Sequence, residues 1–87
     1  MLSLVSTQKI FTSEQLSALI KRERRARGLS QLQLAEHANL SRTAVQRIER
    51  GEGTFEVETA LKLLHILSLD LAVLSRGPQT REVQDAR

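Results

Sequence analysis

Two short helical segments separated by a tight turn, in the middle of the chain, constrain the fold more than any other feature. Ser30 begins a capping box that opens the first segment. Asn39 ends that segment, because asparagine tolerates positive φ better than any residue except glycine. Ser41 is an N-cap for the second segment, which a glycine ends. The pattern predicts helices over residues 31–38 and 42–50, joined as a helix-turn-helix.

Capping residues and apolar spacing predict one helix before this pair and one after it. Thr12 and Gln15 form a capping box at the start of the first, and Gly28 supplies the left-handed position that ends it. The last helix should run from about residue 56 to 67, with an apolar face. The residues of that face are Val57, Ala60, Leu61, Leu64, Ile66 and Leu67. We therefore expect an all-α, compact four-helix domain.

After the fourth helix the apolar period changes from helical to alternating. Leu69, Leu71 and Val73 alternate with other residues, which is typical of a short strand. An unpaired strand exposes a free edge, so this one should pair with its copy in a second subunit or with the segment before Phe11. A fifth helix over residues 69–74 is the alternative.

The chain has 87 residues, enough for one small domain. Domains of this size bury little apolar surface and often need a partner subunit, which favours a homodimer. We divide the chain into an N-terminal extension (1–10), a helix-turn-helix and dimerisation domain (11–75) and a polar tail (76–87) expected to be disordered.

Composition narrows the classes of function. The net charge is +3, and residues 12–28 alone carry five basic and two acidic side chains, which suggests an anionic partner. Two phenylalanines are the only aromatic residues, too few for the stacking platforms of single-strand or RNA binders, so duplex DNA is favoured. Cysteine is absent, and no signal peptide or membrane-spanning stretch is evident, so we expect a cytoplasmic location.

No residue pattern predicts catalysis, a metal or a cofactor. The serines at helix starts are explained as caps, and no base accompanies them. His37 and His65 are isolated in the sequence and lack metal-ligand spacing to carboxylates or to each other. An enzyme is therefore not expected.

The segment from Gly28 to Gly51 resembles the lambda Cro and phage 434 repressor family. The resemblance covers about residues 16–67 and departs from the family's usual glycine at Asn39. Residues 68–74 look like the C-terminal strand of HipB-type antitoxins, which pairs across the dimer.

This resemblance implies DNA-contacting roles for two groups of side chains. The second helix of the pair should enter the major groove, where arginine can donate to guanine, glutamine can pair with adenine and a threonine methyl can pack on thymine. The implied base-reading residues are Arg42, Thr43, Gln46 and Arg47. The implied phosphate contacts are Gln31, Ser41, Arg50 and Thr54.

Two charged residues fall on stripes that should face inward. Arg24 lies four residues after Ile20, and Glu49 lies four after Val45. Buried charges need partners. The family resemblance supplies the pairing, a structural salt bridge between Arg24 and Glu49.

The predicted function is a dimeric, sequence-specific DNA-binding repressor. In its sharper form the protein is an autoregulating antitoxin of a HipA/HipB-type system, with an operator in duplex DNA and a HipA-like kinase toxin as partners. A phage-type or controller-type repressor without a toxin is one alternative. A protein-interaction module that uses the helix-turn-helix as a scaffold is another.

Overall fold

The computed structural model describes residues 7–51 and 54–77. Four helices are present in these residues, and the predicted all-α architecture is confirmed. No strand is assigned within them. The helices are α1 (Ser13–Ala26), α2 (Gln31–Ala38), α3 (Arg42–Arg50) and α4 (Val57–Ile66).

Side-chain caps begin the first three helices, as the sequence predicts. In α1 the Thr12 hydroxyl accepts the Gln15 amide N–H at 3.1 Å, and the Gln15 side chain accepts the Thr12 N–H at 3.2 Å. Ser30 and Gln33 form the same reciprocal pair at 3.0 and 2.8 Å. Ser41 Oγ accepts the N–H three residues further on, at 3.0 Å. Local hydrogen bonding therefore fixes where these helices begin.

A shared backbone geometry ends α1, α2 and α4. Within two residues of each helical end the chain has one left-handed residue, with φ of 70° at Gly28, 57° at Asn39 and 60° at Ser68. Two backbone hydrogen bonds close each of these ends. In α4 the Leu69 N–H donates to the Leu64 carbonyl at 2.8 Å, and the Ser68 N–H donates to the His65 carbonyl at 3.0 Å. This is the Schellman arrangement, which turns the chain sharply away from the helix axis.

The core lies between all four helices. In α4 the buried stripe is Ala60, Leu63, Leu64 and Leu67, an i, i+3, i+4, i+7 repeat. The predicted face of α4 was partly wrong, since Val57 is 68% exposed and Leu61 is 42% exposed. The other buried apolar residues are Ile20, Leu34, Ala35, Ala38, Val45 and Ile48.

The segment after α4 makes no helix, so the alternative of a fifth helix over residues 69–74 is wrong. Leu69 is partly buried against the core of its own chain. Leu71 and Val73 are 62% and 97% exposed. Residues 7–10 form no strand with this segment. Pairing with a second subunit and pairing with residues 1–6, which lie outside the described residues, both stay predictions.

Two predicted segments fall wholly or partly outside the described residues. They are the N-terminal extension, of which residues 1–6 are not described, and the tail from residue 78 onward. Within the described ranges, no helix combines the length and the apolar character needed to cross a membrane.

Candidate nucleic-acid interface

Helix α3 has a buried face and a polar outer face. Val45, Ile48 and Glu49 are buried, and their spacing turns the opposite side of the helix outward. Of the four predicted base-reading residues, Thr43 and Arg47 lie on that side and Gln46 lies at its edge, whereas Arg42 lies in the first turn on the same side as Glu49, seven residues before it. Of these, Arg42, Thr43 and Arg47 are exposed and Gln46 is half-buried. The outer face therefore presents guanidinium, hydroxyl and carboxamide groups together.

The residues predicted to contact phosphates are distributed around the two ends of α3 and the start of α2. Ser41 caps α3 and is exposed, and its hydroxyl hydrogen remains able to donate because the oxygen is the acceptor in the cap. Arg50 is the last residue of α3, and Thr54 follows it in the loop; both are exposed.

A buried ion pair joins α1 to the end of α3. Arg24 Nε and Nη2 donate to the two carboxylate oxygens of Glu49 at 2.6 and 2.9 Å. The two side chains are only 9% and 2% exposed. Arg24 Nη1 donates to the Leu29 carbonyl at 2.7 Å, so this arginine also holds the connection into α2. The hydrogen bond to Glu49 raises the pKa of the Arg24 guanidinium, against the opposing effect of burial.

Gln31, which was predicted to contact a phosphate, takes part in this network. Its Nε2 donates to Glu49 Oε1 at 3.1 Å. The Glu49 carboxylate therefore binds one side chain from α1 and one from the start of α2. No local pattern predicts this contact, because the two residues are 18 positions apart and belong to different helices. The side chain is half-buried, which leaves part of it accessible at the start of α2.

A basic depression of about 520 Å³ lies between the end of α1 and the starts of α2 and α3. Lys21 and Arg25 line it, although no role was predicted for either residue. Their spacing of four residues places both on one face of α1, and this spacing could have indicated that they act together. The remaining lining residues are Arg24, Ser30, Gln31, Leu32 and Arg42.

A second open groove, of about 490 Å³, lies between α2 and α4. His37 and His65 both line it, although they lie far apart in the sequence. Within the described ranges, no group of three or more metal-ligating side chains is arranged to hold a metal ion.

Comparison with protein families gives one match. The family model described as helix-turn-helix matches residues 20–74, more than half of the chain. The match includes all of α2, α3 and α4 and the segment after α4 to residue 74. No curated protein sequence matched.

Several solved structures share the fold. A HipB variant in complex with an O2 20mer has a TM-score of 0.74 and 26% identity, over 80% of this chain and 97% of that one. A HipA-HipB-O2-O3 complex contains a chain with a TM-score of 0.74 and 25% identity, over 79% of this chain and 97% of that one. A HipB-O1-O2 complex gives a TM-score of 0.73 and 25% identity, over 79% and 100% of the two chains.

Proposed function

The chain belongs to the helix-turn-helix family, and on that premise we propose that it is a dimeric, sequence-specific DNA-binding repressor of transcription. The observation that carries the proposal is the outer face of α3. Polar and cationic side chains cover it, while Glu49 on the inner face ties the helix to α1 and α2. A helix held in this way can enter the major groove without changing its orientation.

The proposed division of roles follows the chemistry of each side chain. Arg42 and Arg47 can each donate two hydrogen bonds to a guanine, and Gln46 can pair with an adenine. Thr43 can pack its methyl group on a thymine. Gln31, Ser41, Arg50 and Thr54 bind backbone phosphates, which fixes position without reading sequence.

The proposed dimer uses the segment after α4. Leu71 and Val73, with Leu74 at 58% exposure, give this segment large apolar side chains that a single chain leaves in water. Pairing of the two copies as antiparallel strands would cover them and satisfy the free backbone groups. The two α3 helices would then read successive major grooves, about 34 Å apart. In the proposed division of the chain, residues 11–75 form the DNA-binding and dimerisation domain between the extension (1–10) and the tail (76–87).

We propose further that the repressor is the antitoxin of a HipA/HipB-type system and regulates its own operon. The similarity to HipB in complex with an O2 20mer and to a chain of a HipA-HipB-O2-O3 complex supports this, and it makes a HipA-like kinase toxin the expected protein partner. Such a repressor acts in the cytoplasm and has no catalytic activity of its own. A kinase-like protein encoded beside this chain, forming a complex with it in size-exclusion chromatography, is the expected finding; no such neighbour would favour a phage-type or controller-type repressor.

An electrophoretic shift tests DNA recognition. The probes are a duplex from the region upstream of the protein's own coding sequence and a shuffled duplex of equal length, each at two salt concentrations. We expect the wild type to prefer the upstream duplex and to bind more weakly at higher salt. The double variant Arg42→Ala plus Arg47→Ala should lose the preference. Lys9→Ala plus Lys62→Ala, which removes two exposed charges elsewhere, should keep it.

The alternative outcome has a definite meaning. A wild type without preference for the upstream duplex contradicts the repressor proposal and favours a protein-interaction module.

Dimerisation is tested separately by sedimentation. Val73→Glu should shift the protein towards monomer, whereas Phe11→Glu, at another exposed apolar residue, should not.

A further inference from the structure

The basic depression contains two cationic residues without a role in the proposed function. Gln31 and Arg42, which line it, are assigned to DNA contacts, whereas Lys21 and Arg25 on α1 are not. Lys21 is half-buried, with its stem against the domain, and Arg25 is exposed. These two residues form the wall of the depression opposite the starts of α2 and α3.

The charges around the depression are not balanced by the protein. None of its seven lining residues is acidic. Arg24 is neutralised by Glu49, but Lys21, Arg25 and Arg42 form no ion pair within residues 7–51 and 54–77. Three positive charges therefore border one solvent-filled space, and a bound anion would relieve their mutual repulsion.

Two other cations of α1, Arg22 and Arg27, are paired with an acidic side chain. Arg27 lies 2.7 Å from a carboxylate oxygen of Glu23, and Arg22 lies 3.5 Å from the same group. Hydrogen bonding to Arg27 lowers the pKa of Glu23, which keeps that carboxylate charged beside both arginines. Arg22 also donates to Gln8 at 2.9 Å. The helix thus has a side where basic residues are paired and a side where they are not.

The start of α2 adds donors to the same space. Ser30 Oγ accepts the Gln33 N–H, and the amides of Gln31 and Leu32 precede it in the first turn, where a helix has no internal acceptors for N–H groups. The partial positive charge of the helix start has the same sign as the surrounding side chains. The depression therefore offers both charge and directed donors to a single anion.

We propose that the depression binds one backbone phosphate of the operator and that Lys21 and Arg25 contact this phosphate from the α1 side. The inference rests on the proposed DNA-binding function, because it identifies further residues of the same surface. Arg42 borders the depression and also belongs to the base-reading face, so a phosphate held there lies beside the groove that α3 enters. The phosphate then sets how α3 enters the groove, and Lys21 and Arg25 position the protein without reading bases.

The salt dependence of DNA binding tests this assignment. Affinity is measured for wild type, Lys21→Gln, Arg25→Gln and Arg22→Gln across a salt series, with the upstream duplex and its shuffled form as probes. In the proposed homodimer each substitution removes one contact from each of two subunits. Loss of each phosphate contact lowers the slope of log affinity against log salt by about 0.9, so the slope for the dimer should fall by about 1.8. We expect this reduction for Lys21→Gln and for Arg25→Gln on both probes, with the ratio of affinities between the probes unchanged. Lys21→Arg, which retains the charge, should restore the wild-type slope.

Arg22→Gln is the matched control, since it removes one positive charge from the same helix on the paired side. Thermal denaturation of each variant identifies any loss of folding. If the wild type binds and the Lys21 and Arg25 variants have the same slope as Arg22→Gln, the phosphate assignment is overturned and the proposed function stands. If the wild type itself shows no salt-sensitive binding, the proposed function is overturned along with it.

Discussion

Replacement of Glu49 by alanine tests whether the buried network organises the domain. The substitution leaves the Arg24 guanidinium, whose side chain is 9% exposed, without its carboxylate, and it removes the acceptor of Gln31. Breaking one side of a buried pair costs about 3–5 kcal/mol, because a charge remains out of water without compensation. Each kcal/mol lowers the melting temperature of a domain this size by about 4–8 °C. We therefore expect Glu49→Ala to melt at least roughly 12 °C below the wild type.

Urea denaturation followed by far-ultraviolet circular dichroism measures this loss. Protein concentration must be held constant, because the stability of the proposed dimer would depend on it. Glu36→Ala, which removes an exposed carboxylate from α2, serves as the control and should change stability little. The double variant Arg24→Met plus Glu49→Leu removes both charges and should recover most of the lost stability. A loss below about 1 kcal/mol in Glu49→Ala would refute the argument from burial.

Three further predictions concern single residues, each measured by thermal and urea denaturation. Thr12→Ala removes the α1 cap and should cost about 1 kcal/mol; an unchanged stability would show that the capping box is dispensable. Ser68→Gly removes the strain of a left-handed serine and should raise the free energy of unfolding by roughly 0.5–1 kcal/mol. Asn39→Gly should raise it less, because asparagine tolerates this conformation better, and equal gains would contradict this reasoning. Ser17→Ala removes a buried hydroxyl that has no hydrogen-bond partner among the described residues, so stability should rise or stay constant; a clear loss would reveal a missing partner.

The starts of the first three helices could be predicted from the sequence because capping is local. Thr12, Ser30 and Ser41 each bond to an amide three residues away, so the whole interaction is contained in one short stretch of sequence. The inward stripe of α3 was equally accessible, since apolar spacing alone placed Val45 and Ile48. The outward face, and with it the candidate base-reading residues, follows from that stripe.

Features that depend on two distant elements could not be predicted in this way. The contact between Gln31 and Glu49 needs the crossing of α2 and α3, which no periodicity reports. The buried face of α4 was predicted incorrectly because α4 has more apolar residues than the core buries, and Leu61 remains 42% exposed. The proposed pairing of the segment that contains Leu71 likewise involves a second chain.

The sharing of one carboxylate has a consequence for the DNA as well as for the protein. Glu49 binds Arg24 of α1 and Gln31 of α2 while belonging to α3, so one carboxylate joins the three helices. In the proposed complex these bonds would hold the distance between the phosphate site and the base-reading residues, and the duplex would have to adjust its own twist and groove width to fit. Operators whose central steps deform at low energy would be favoured, although no side chain reaches those base pairs. Selectivity would in this way extend to the spacer between the two half-sites.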